Sequence, residues 1–400
     1  MKIPAAATRA LHCLSTLAEE LRQPASGTRD QLLAGLAHDS GLHPTSLDRL
    51  VSDFASGYRE LYLKNALSRA VAVGRWQPVG TVAVVAPGNL PVAAWQAAIE
   101  PLLAGNRVKV RASKGHTQAL LNLQGALIAI DPQVGELLTV LDFDRDDAKG
   151  WRALVNSAQC LAIHGSDAAV TAVLGRAAVA GWSGRLRAQG EMRSLAVVDA
   201  ETWQRQGPRL LRQLADDALL ADGRGCMSLR TVVTVGFGPL QVRDFHSQLQ
   251  RALLRAAQRW PAGPAGSETA LRRQWSGQTL EMQQLLSNGA LLVDARADGW
   301  LACSTDPRWL GDSWPGPGGR DLVLWTATDW SDLTHHLAPW RGRLSTLAVA
   351  ADPKQALILQ DELVISRLCR PGQMQAPRAD RSADGHAPLE GMVRYLDRLH

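Results

Sequence analysis

The alternation of short β-branched runs with longer helical stretches is the feature that most limits the fold of this chain. Residues 79–86 (VGTVAVVA) form a short apolar run of the kind expected for a strand buried on both faces. A helical pattern follows over 92–103, and 107–111 has the pattern of the next strand. Strands alternating with helices predict βαβ units and a parallel sheet, and therefore an α/β protein. The order continues with strands over 138–141, 160–164, 194–198 and 229–235 and helices over 116–130, 146–156 and 203–220.

The segments before and after this alternation are less regular. Helical spacing predicts helices over 28–36 and 46–67, with Ser46 as N-cap. Pro and Gly clusters predict loops over 261–266 and 314–319. Glu390–Leu399 is predicted to be a short helix.

Length and charge narrow the classes of function. At 400 residues the chain suggests two or three domains, taking roughly 150 residues for each. The net charge of +5 is compatible with an anionic partner, but the basic residues are scattered rather than clustered. We therefore expect no nucleic-acid binding, while a phosphate-bearing small ligand stays open. The sequence contains no run of about 18 apolar residues, so we expect no membrane-spanning helix.

The five cysteines limit the chemistry further. Their positions form no CxxC or finger-like spacing, so neither structural zinc nor another metal site is expected. An odd number without a secretory leader predicts a reducing, cytoplasmic location. Cys226 differs from the other four, Cys13, Cys160, Cys303 and Cys369, because it lies in a glycine-flanked loop, Asp222–Ser228.

Two loop segments could carry chemistry. Pro87-Gly88-Asn89 follows the first strand, at the sheet edge where α/β proteins bind ligands. Asn89 could donate a hydrogen bond to an oxyanion, or it could be a turn or capping residue. In the other loop, Arg224 lies two residues before Cys226 and could favour a reactive thiolate, whereas a buried apolar cysteine is the alternative.

Taken in order, these segments resemble the aldehyde dehydrogenase superfamily. Its P-W-N-F-P turn is similar to Pro87–Pro91, and its A-G-N-x-V-x-x-K strand is similar to Ala104–Arg111. Its G-S dipeptide and G-Q-x-C loop are similar to Gly165-Ser166 and to Gly223–Cys226. Arg111, Gly165 and Cys226 lie 22, 76 and 137 residues after Asn89, separations that suit that fold.

The resemblance also shows a departure from the hydrolytic members. Their E-L-G-G-K segment, which carries the general base, corresponds to Gln189–Arg193, so Gln189 stands where the glutamate would be. An amide cannot activate water, although a shifted alignment would offer Glu191. A missing base is typical of members that handle acyl thioesters. The tail, Arg370–Pro377 and then Asp384-Gly385, is most similar to the luminescence-type fatty acyl-CoA reductases.

This resemblance implies a mechanism and a set of site residues. Cys226 would attack an acyl thioester, from acyl-CoA or an acyl-carrier protein, and Asn89 would hold the oxyanion. Reduction by a nicotinamide cofactor would then release the aldehyde. Arg111 stands in place of the family's lysine, and with Ser113 and Lys114 it would suit a 2′-phosphate, which favours NADPH while NADH stays open. Gly165 and Ser166 would line the cofactor groove.

The resemblance further implies a Rossmann-type cofactor domain with an inserted α/β catalytic domain. The cofactor domain would comprise 1–200, with 370–400 returning to it, and the catalytic domain 201–369. A homo-oligomer is compatible with the sequence. The alternatives are an aldehyde dehydrogenase that hydrolyses its acyl-enzyme, a non-redox cysteine acyltransferase and a non-catalytic scaffold protein. Tryptophans of the catalytic half could line an acyl tunnel or pack in the core: Trp300, Trp309, Trp314, Trp325 and Trp330.

Overall fold

The computed structural model describes residues 3–264, 267–306, 308 and 319–396. The helices are α1 (Ala5–Arg22), α2 (Gly27–Ser40), α3 (Pro44–Gly57), α4 (Glu60–Val73), α5 (Pro91–Leu103), α6 (Thr117–Ile130), α7 (Pro132–Gly135), α8 (Ala148–Asn156), α9 (Asp167–Val179), α10 (Ala200–Leu219), α11 (Pro239–Arg259), α12 (Ser267–Leu286), α13 (Trp330–Leu337) and α14 (Pro353–Leu363). The strands are β1 (Trp76–Pro78), β2 (Thr81–Val85), β3 (Arg107–Arg111), β4 (Leu138–Leu141), β5 (Cys160–His164), β6 (Arg185–Gln189), β7 (Arg193–Asp199), β8 (Thr231–Val235), β9 (Leu291–Arg296), β10 (Gly299–Ser304), β11 (Leu322–Ala327), β12 (Leu344–Ala350), β13 (Arg367–Cys369) and β14 (Val393–Tyr395).

The chain divides into two units. The N-terminal unit comprises Met1–Gly41, Leu47–Glu191 and Ala376–His400. The central unit comprises Leu42–Ser46 and Met192–Gln375. The assignment of cofactor binding to residues 1–200 and 370–400, and of catalysis to 201–369, stays a prediction.

The N-terminal unit is built on a five-stranded sheet in the order β4-β3-β2-β5-β6. Every neighbouring pair is parallel, and the sheet core includes the fully buried Val82, Val84 and Leu161. The chain adds strands on one side of β2 and then returns to add β5 and β6 on the other. The order of the strands therefore reverses between β2 and β5, which is the position where open α/β sheets bind ligands.

Asn106, which directly precedes β3, makes three hydrogen bonds through its side chain. Its amide oxygen accepts the Gly80 N–H at 3.1 Å, and its amide nitrogen donates to the Pro101 and Met392 carbonyls at 3.1 and 3.0 Å. The side chain is fully buried, so these bonds satisfy groups that water cannot reach. Asn106 thereby fixes the start of β2, the end of α5 and the C-terminal segment to one another.

The central unit contains a seven-stranded sheet in the order β13-β12-β7-β8-β11-β10-β9. All neighbours are parallel except β9, which forms an antiparallel hairpin with β10. Hydrophobic clusters cover both faces, one containing Phe245 and the other Leu333. Trp300 and Trp325 belong to the second cluster and are 2% and 1% exposed, which supports core packing for these two; Trp309 and Trp314 lie outside the described residues.

The parallel α/β architecture confirms the predicted fold class, but two local predictions are wrong. Ser46 is not an N-cap, because α3 begins at Pro44, a residue favoured in the first helical turn. The helix predicted over 46–67 is interrupted after Gly57, whose carbonyl accepts the Ala379 N–H at 2.9 Å. A Cβ at Gly57 would collide with the Pro377 carbonyl, so the approach of the C-terminal segment requires glycine there.

The C-terminal prediction is also wrong. Val393–Tyr395 is strand β14, paired antiparallel with β1, and 390–392 is a turn, so no helix spans 390–396. Residues 397–400 lie outside the described residues, as do 265–266 and 314–318 of the two predicted loops. Within the described part of the chain, no helix combines the length and apolar character needed to cross a membrane.

Candidate active site

Three segments of the N-terminal unit meet at the carboxyl edge of its sheet. They are the turn after β2, the end of β3 and the turn between β5 and α9, and all three strands run in the same direction. Ser113 links the first two, because its hydroxyl donates to the Ala86 carbonyl at 2.8 Å. A Cβ added to Gly88 would lie 3.3 Å from the Ser113 Oγ, so the two segments are in close contact.

Asn89 is exposed at the tip of the first turn. Its side-chain oxygen accepts the backbone N–H of Leu90 at 2.9 Å, immediately before Pro91 begins α5. This hydrogen bond reaches only the next residue, so it is neither the Asx-turn, which accepts the N–H two residues on, nor a side-chain cap of α5. An oxyanion accepts hydrogen bonds, so the group of the Asn89 side chain that could bind it is the NH₂ donor.

Arg111 is half-buried against two aromatic rings. Its guanidinium lies 5.3 Å from the Phe143 ring centroid and 5.0 Å from that of Trp151, and it donates to the Phe143 carbonyl at 3.2 Å. Its buried Nε makes no hydrogen bond within the described part of the chain. Burial and the nearby Arg176 lower the pKa of Arg111, and Arg176 stacks on Trp151 at 4.8 Å. The two guanidinium groups place positive charge beside the end of β3, where Asp142 and Asp144 are also close enough to act on the pKa of Arg111 in the opposite direction.

Lys114 and the Gly165-Ser166 turn complete this edge. Lys114 is exposed, one residue beyond Ser113. Ser166 is the N-cap of α9, and its hydroxyl accepts the Ala169 N–H at 3.3 Å. A Cβ at Gly165 would lie 3.1 Å from the Ala169 Cβ, so glycine allows the strand and helix to approach closely. A helix beginning at this edge of the sheet favours a negatively charged ligand, although Asp167 also lies in its first turn.

Gln189 lies at the end of β6, paired in register with His164 of β5. Its amide nitrogen donates to the Ala383 carbonyl at 3.3 Å. Burial and Arg187 lower the pKa of His164 to about 4, so the imidazole is neutral near pH 7. Glu191 is exposed, and its backbone N–H donates to Asp167 at 2.9 Å.

In the central unit, Cys226 lies in a loop between α10 and β8. The side chain is half-buried, whereas both neighbours, Gly225 and Met227, are buried. The Cys226 carbonyl accepts the Ser194 hydroxyl at 2.7 Å, and the Gly225 N–H donates to the Ser228 hydroxyl at 3.0 Å. The loop therefore presents the thiol while hydrogen bonds hold the backbone on either side of it.

The start of this loop has an unusual backbone. Ala221, Asp222 and Gly223 all have positive φ angles, of 55°, 53° and 61°. Arg320, fully buried, donates to the Asp222 carboxylate at 3.1 Å and to Asp298 at 2.6 Å. Arg224 donates to the other Asp222 oxygen at 3.3 Å, so it is already paired within the loop.

The remaining cysteines lie in different surroundings. Cys13, Cys160 and Cys303 are buried and Cys369 is half-buried. Burial raises the pKa of the Cys160 thiol to about 11 and that of the other three to about 12. Since the thiolate is the nucleophilic form, these four are unsuited to attack on a carbonyl.

The structure places the predicted residues in two groups. Asn89, Ser113 and Gly165-Ser166 share one edge of the sheet in the N-terminal unit, and Cys226 lies in the central unit. Sequence reasoning missed the residues that hold the Cys226 loop. The only indication of them was the Arg370–Pro377 piece of the tail. Within the described part of the chain, no group of three or more His, Cys, Asp or Glu side chains is arranged to bind a metal ion.

Solved structures with the same fold are aldehyde dehydrogenases. A succinic semialdehyde dehydrogenase from Streptococcus pyogenes, solved with NADP⁺, superimposes with a TM-score of 0.72 at 11% identity, covering 98% of this chain and 90% of that one. A putative aldehyde dehydrogenase from Burkholderia cenocepacia gives 0.71 at 15% identity, covering 98% and 86%. Aldehyde dehydrogenase 21 from Physcomitrella patens gives 0.70 at 13% identity, covering 97% and 85%. The protein therefore has the aldehyde dehydrogenase fold.

The family to which the chain belongs is identified from its amino-acid sequence. The model of the acyl-CoA reductase (LuxC) family matches residues 36–395, which is most of the chain. The protein belongs to this family, and both the predicted relationship and the predicted aldehyde-forming acyl reduction are confirmed. It is an oxidoreductase. No curated protein sequence matched the chain.

Proposed function

We propose that this enzyme reduces an acyl thioester, carried by coenzyme A or an acyl-carrier protein, to the aldehyde through an acyl-enzyme on Cys226, with NADPH as reductant. The observation that carries the proposal is the Cys226 loop. It is held by hydrogen bonds on both sides of a half-buried thiol, whereas burial raises the thiol pKa of each of the other four cysteines.

The residues at the sheet edge of the N-terminal unit fit a phosphate-bearing dinucleotide. Gly88 and Gly165 let the backbone pack closely at this edge, since a Cβ would lie 3.3 Å from the Ser113 Oγ and 3.1 Å from the Ala169 Cβ. The N-terminus of α9 offers backbone N–H groups, and Lys114 and Arg111 supply positive charge. We propose that Gly165 and Ser166 bind near the pyrophosphate, and that Arg111, Ser113 and Lys114 bind the ribose and its 2′-phosphate.

The first half of the proposed reaction forms the acyl-enzyme. The Cys226 sulfur attacks the acyl carbonyl carbon, a new C–S bond forms, and the bond to the carrier sulfur breaks. We propose that the Asn89 NH₂ and the Cys226 backbone N–H donate hydrogen bonds to the carbonyl oxygen while it carries negative charge. The carrier leaves as a thiolate, which then takes a proton from solvent.

The second half releases the aldehyde. A reduced nicotinamide, when bound, supplies the hydride that converts the acyl carbon to the aldehyde oxidation level. The bond to the Cys226 sulfur breaks, and the thiolate is regenerated. In sum one thioester, one NADPH and one proton give one aldehyde, one thiol and one NADP⁺. Gln189 supports this outcome over hydrolysis, since an amide side chain cannot take a proton from water.

The acyl-enzyme is tested without any nicotinamide. The protein is mixed with a panel of acyl-CoAs, and the mass of the intact chain and of the Cys226 peptide is measured. We expect one acyl group on Cys226 and none in the Cys226→Ala variant, with Cys369→Ala as the matched control because Cys369 is also half-buried. With NADPH present, trapped aldehyde should then appear in step with nicotinamide oxidation. An unacylated Cys226, together with aldehyde oxidation that survives Cys226→Ala, would contradict the proposal.

The cofactor preference is tested by reversing charge. Lys114→Glu should raise KM for NADPH about tenfold or more and leave that for NADH little changed, because a carboxylate repels a 2′-phosphate. Lys149→Glu is the control, since it makes the same charge change at the start of α8. If Lys114→Glu and Lys149→Glu changed KM to the same extent, for NADPH and for NADH alike, Lys114 would be excluded from the phosphate site.

A further inference from the structure

A short segment of the central unit, Gly372–Gln375, lies against the Cys226 loop. Asp217 of α10 accepts two backbone N–H groups from it, Gly372 at 2.5 Å and Met374 at 3.1 Å, using a different oxygen for each. Asp217 is 3% exposed, and its own carbonyl accepts the Leu229 N–H at 3.3 Å, three residues after Cys226. One buried residue therefore touches both the segment and the end of the loop.

The carbonyl side of the same segment is held by Arg367. Its guanidinium donates to the Met374 carbonyl at 2.8 Å and to the Gln373 carbonyl at 2.7 Å. A carboxylate therefore holds the N–H groups and a guanidinium holds the C=O groups. The hydrogen bonds from the guanidinium are charge-assisted and stronger than neutral ones. Burial raises the pKa of Asp217 to about 7, so the carboxyl on the N–H side is only partly ionised near pH 7.

Gln375 connects the segment to the nucleophile loop. The side chain is 7% exposed, and its Nε2 donates to the Ser228 hydroxyl. That hydroxyl also accepts the Gly225 N–H at 3.0 Å. A serine oxygen has two acceptor positions, so Gln375 and Gly225 together occupy both. Removal of the Gln375 amide would therefore free the hydroxyl to rotate away from the Gly225 N–H.

We propose that Asp217 and Gln375 are positioning residues for Cys226: through the segment Gly372–Gln375 they fix the Ser228 hydroxyl, and with it the backbone of Gly225 and Cys226. The proposal rests on the proposed role of Cys226 as the acyl acceptor. In this proposal Asp217 and Gln375 act through the backbone of the loop and not on the reacting atoms. Their contribution is orientation, and a misplacement of about 1 Å at a reacting group can cost about 100-fold in rate.

The test measures acylation of Cys226 as a function of acyl-CoA concentration, without nicotinamide, in Gln375→Ala and Asp217→Asn. We expect the maximal acylation rate to fall about tenfold or more and the concentration for half-maximal rate to change less than about threefold, because orientation is lost and substrate binding is kept. Gln373→Ala is the matched control, since the Gln373 side chain is exposed and the residue is held through its backbone, whose carbonyl accepts from Arg367 and whose N–H donates to the Arg370 carbonyl.

A conservative variant separates positioning from packing. Gln375→Glu keeps the length of the side chain, and the Ser228 hydroxyl can donate to its carboxylate while it still accepts from Gly225. We expect this variant to recover most of the rate lost in Gln375→Ala. Rates in Gln375→Ala and Asp217→Asn that match the parent would overturn the proposal. If Asp217→Asn fails to fold, the two Gln375 variants decide the question.

The experiment also distinguishes this proposal from the proposed function. If the parent protein forms no acyl-enzyme, the proposed function is wrong. The position of the Cys226 thiol is then probed by the rate at which iodoacetamide alkylates it. A change in that rate of about threefold or more in Gln375→Ala, with none in Gln373→Ala, supports the positioning role. An unchanged rate refutes it.

Discussion

At the scale of the residue, local surroundings separate five side chains of identical chemistry. Four thiols are held in the neutral form by burial, and Cys226 lies in a loop whose backbone is fixed by Ser194 and Ser228. The sequence already indicated Cys226, because Gly223 and Gly225 precede it in the loop. The partners that hold the loop were not predictable, since Gln375 and Ser228 are 147 residues apart and both are common residue types.

His164 leads to a prediction about pH. Burial and Arg187 lower its pKa to about 4, while Glu100, Gln189 and Asp384 act in the opposite direction. The unfolded chain binds a proton near pH 6.5, so between about pH 6.5 and 4 it holds more protons at this site than the folded protein. The stability that the neutral imidazole contributes is therefore present above pH 6.5 and lost as the pH falls towards 4.

The expected size of this effect is on the order of 2 kcal/mol of unfolding free energy. His164→Gln removes the titrating group and keeps a polar side chain. In urea unfolding at a series of pH values, the variant should lose less stability than the parent between pH 6.5 and 4. Parallel pH profiles for the two proteins, or an imidazole NMR titration centred near pH 6.5, would show that the prediction is wrong.

At the scale of the element, the sequence predicted the long, regular parts of the fold. The β-branched runs predicted β2, β3 and β5 to within two residues. Strand β6 was missed because its sequence, RLRAQ, is charged, as is common for an edge strand. Strands β1 and β14 are three residues each, and they form only because distant segments pair. A pattern confined to neighbouring residues cannot predict such pairing.

The turn at Gly223 carries a prediction at the same scale. Its φ of 61° disfavours any side chain, and a Cβ there would collide with the Gly319 carbonyl. Gly223→Ala should therefore lower the free energy of unfolding by about 3 kcal/mol or more, from backbone strain and steric overlap together. It should also slow acylation of Cys226, three residues further on.

The control for this prediction is Gly236→Ala. Gly236 has a φ of 71°, but a Cβ there would have no atom within 4 Å. Gly236→Ala therefore introduces backbone strain but no steric overlap. It should lower the free energy of unfolding by about 1 kcal/mol. Chemical denaturation of both variants measures the difference. Equal losses would mean that the Gly319 carbonyl moves aside and that the approach of the two segments does not depend on glycine.

At the scale of the whole molecule, the N-terminal unit is assembled from both ends of the chain. Residues after 375 return to it and are held by buried polar groups rather than by a long regular element. Asn106 binds the Met392 carbonyl, and Glu100 accepts the Leu389 N–H at 3.0 Å. The return of the tail was implied by the family resemblance. The side chains that receive it were not apparent from the sequence.

Glu100 and Arg187 form the ion pair on which this assembly depends. Arg187 of β6 is 1% exposed and donates to the Glu100 carboxylate of α5 at 2.6 Å. Its Nε and second terminal nitrogen have no hydrogen-bond partner among the residues that the structure describes. Burial opposes the charge of Glu100, but Arg187 holds the pKa of the carboxyl below its usual value. Among the described residues, the Glu100 carboxylate is therefore the oxygen that pairs with this buried guanidinium.

Glu100→Ala should therefore lower the free energy of unfolding by about 3 kcal/mol, because it leaves an uncompensated buried charge and an unpaired Leu389 N–H. The double variant Glu100→Leu with Arg187→Met should recover most of this loss, since it removes both charges and retains apolar volume. Hydrogen exchange of Leu389 and of β14 gives the local readout: both should exchange faster in Glu100→Ala and closer to the parent rate in the double variant. If the double variant were as unstable as Glu100→Ala, the loss would come from the freed tail rather than from the buried charge. The attachment of the C-terminal segment would then be the larger contribution to the stability of this unit.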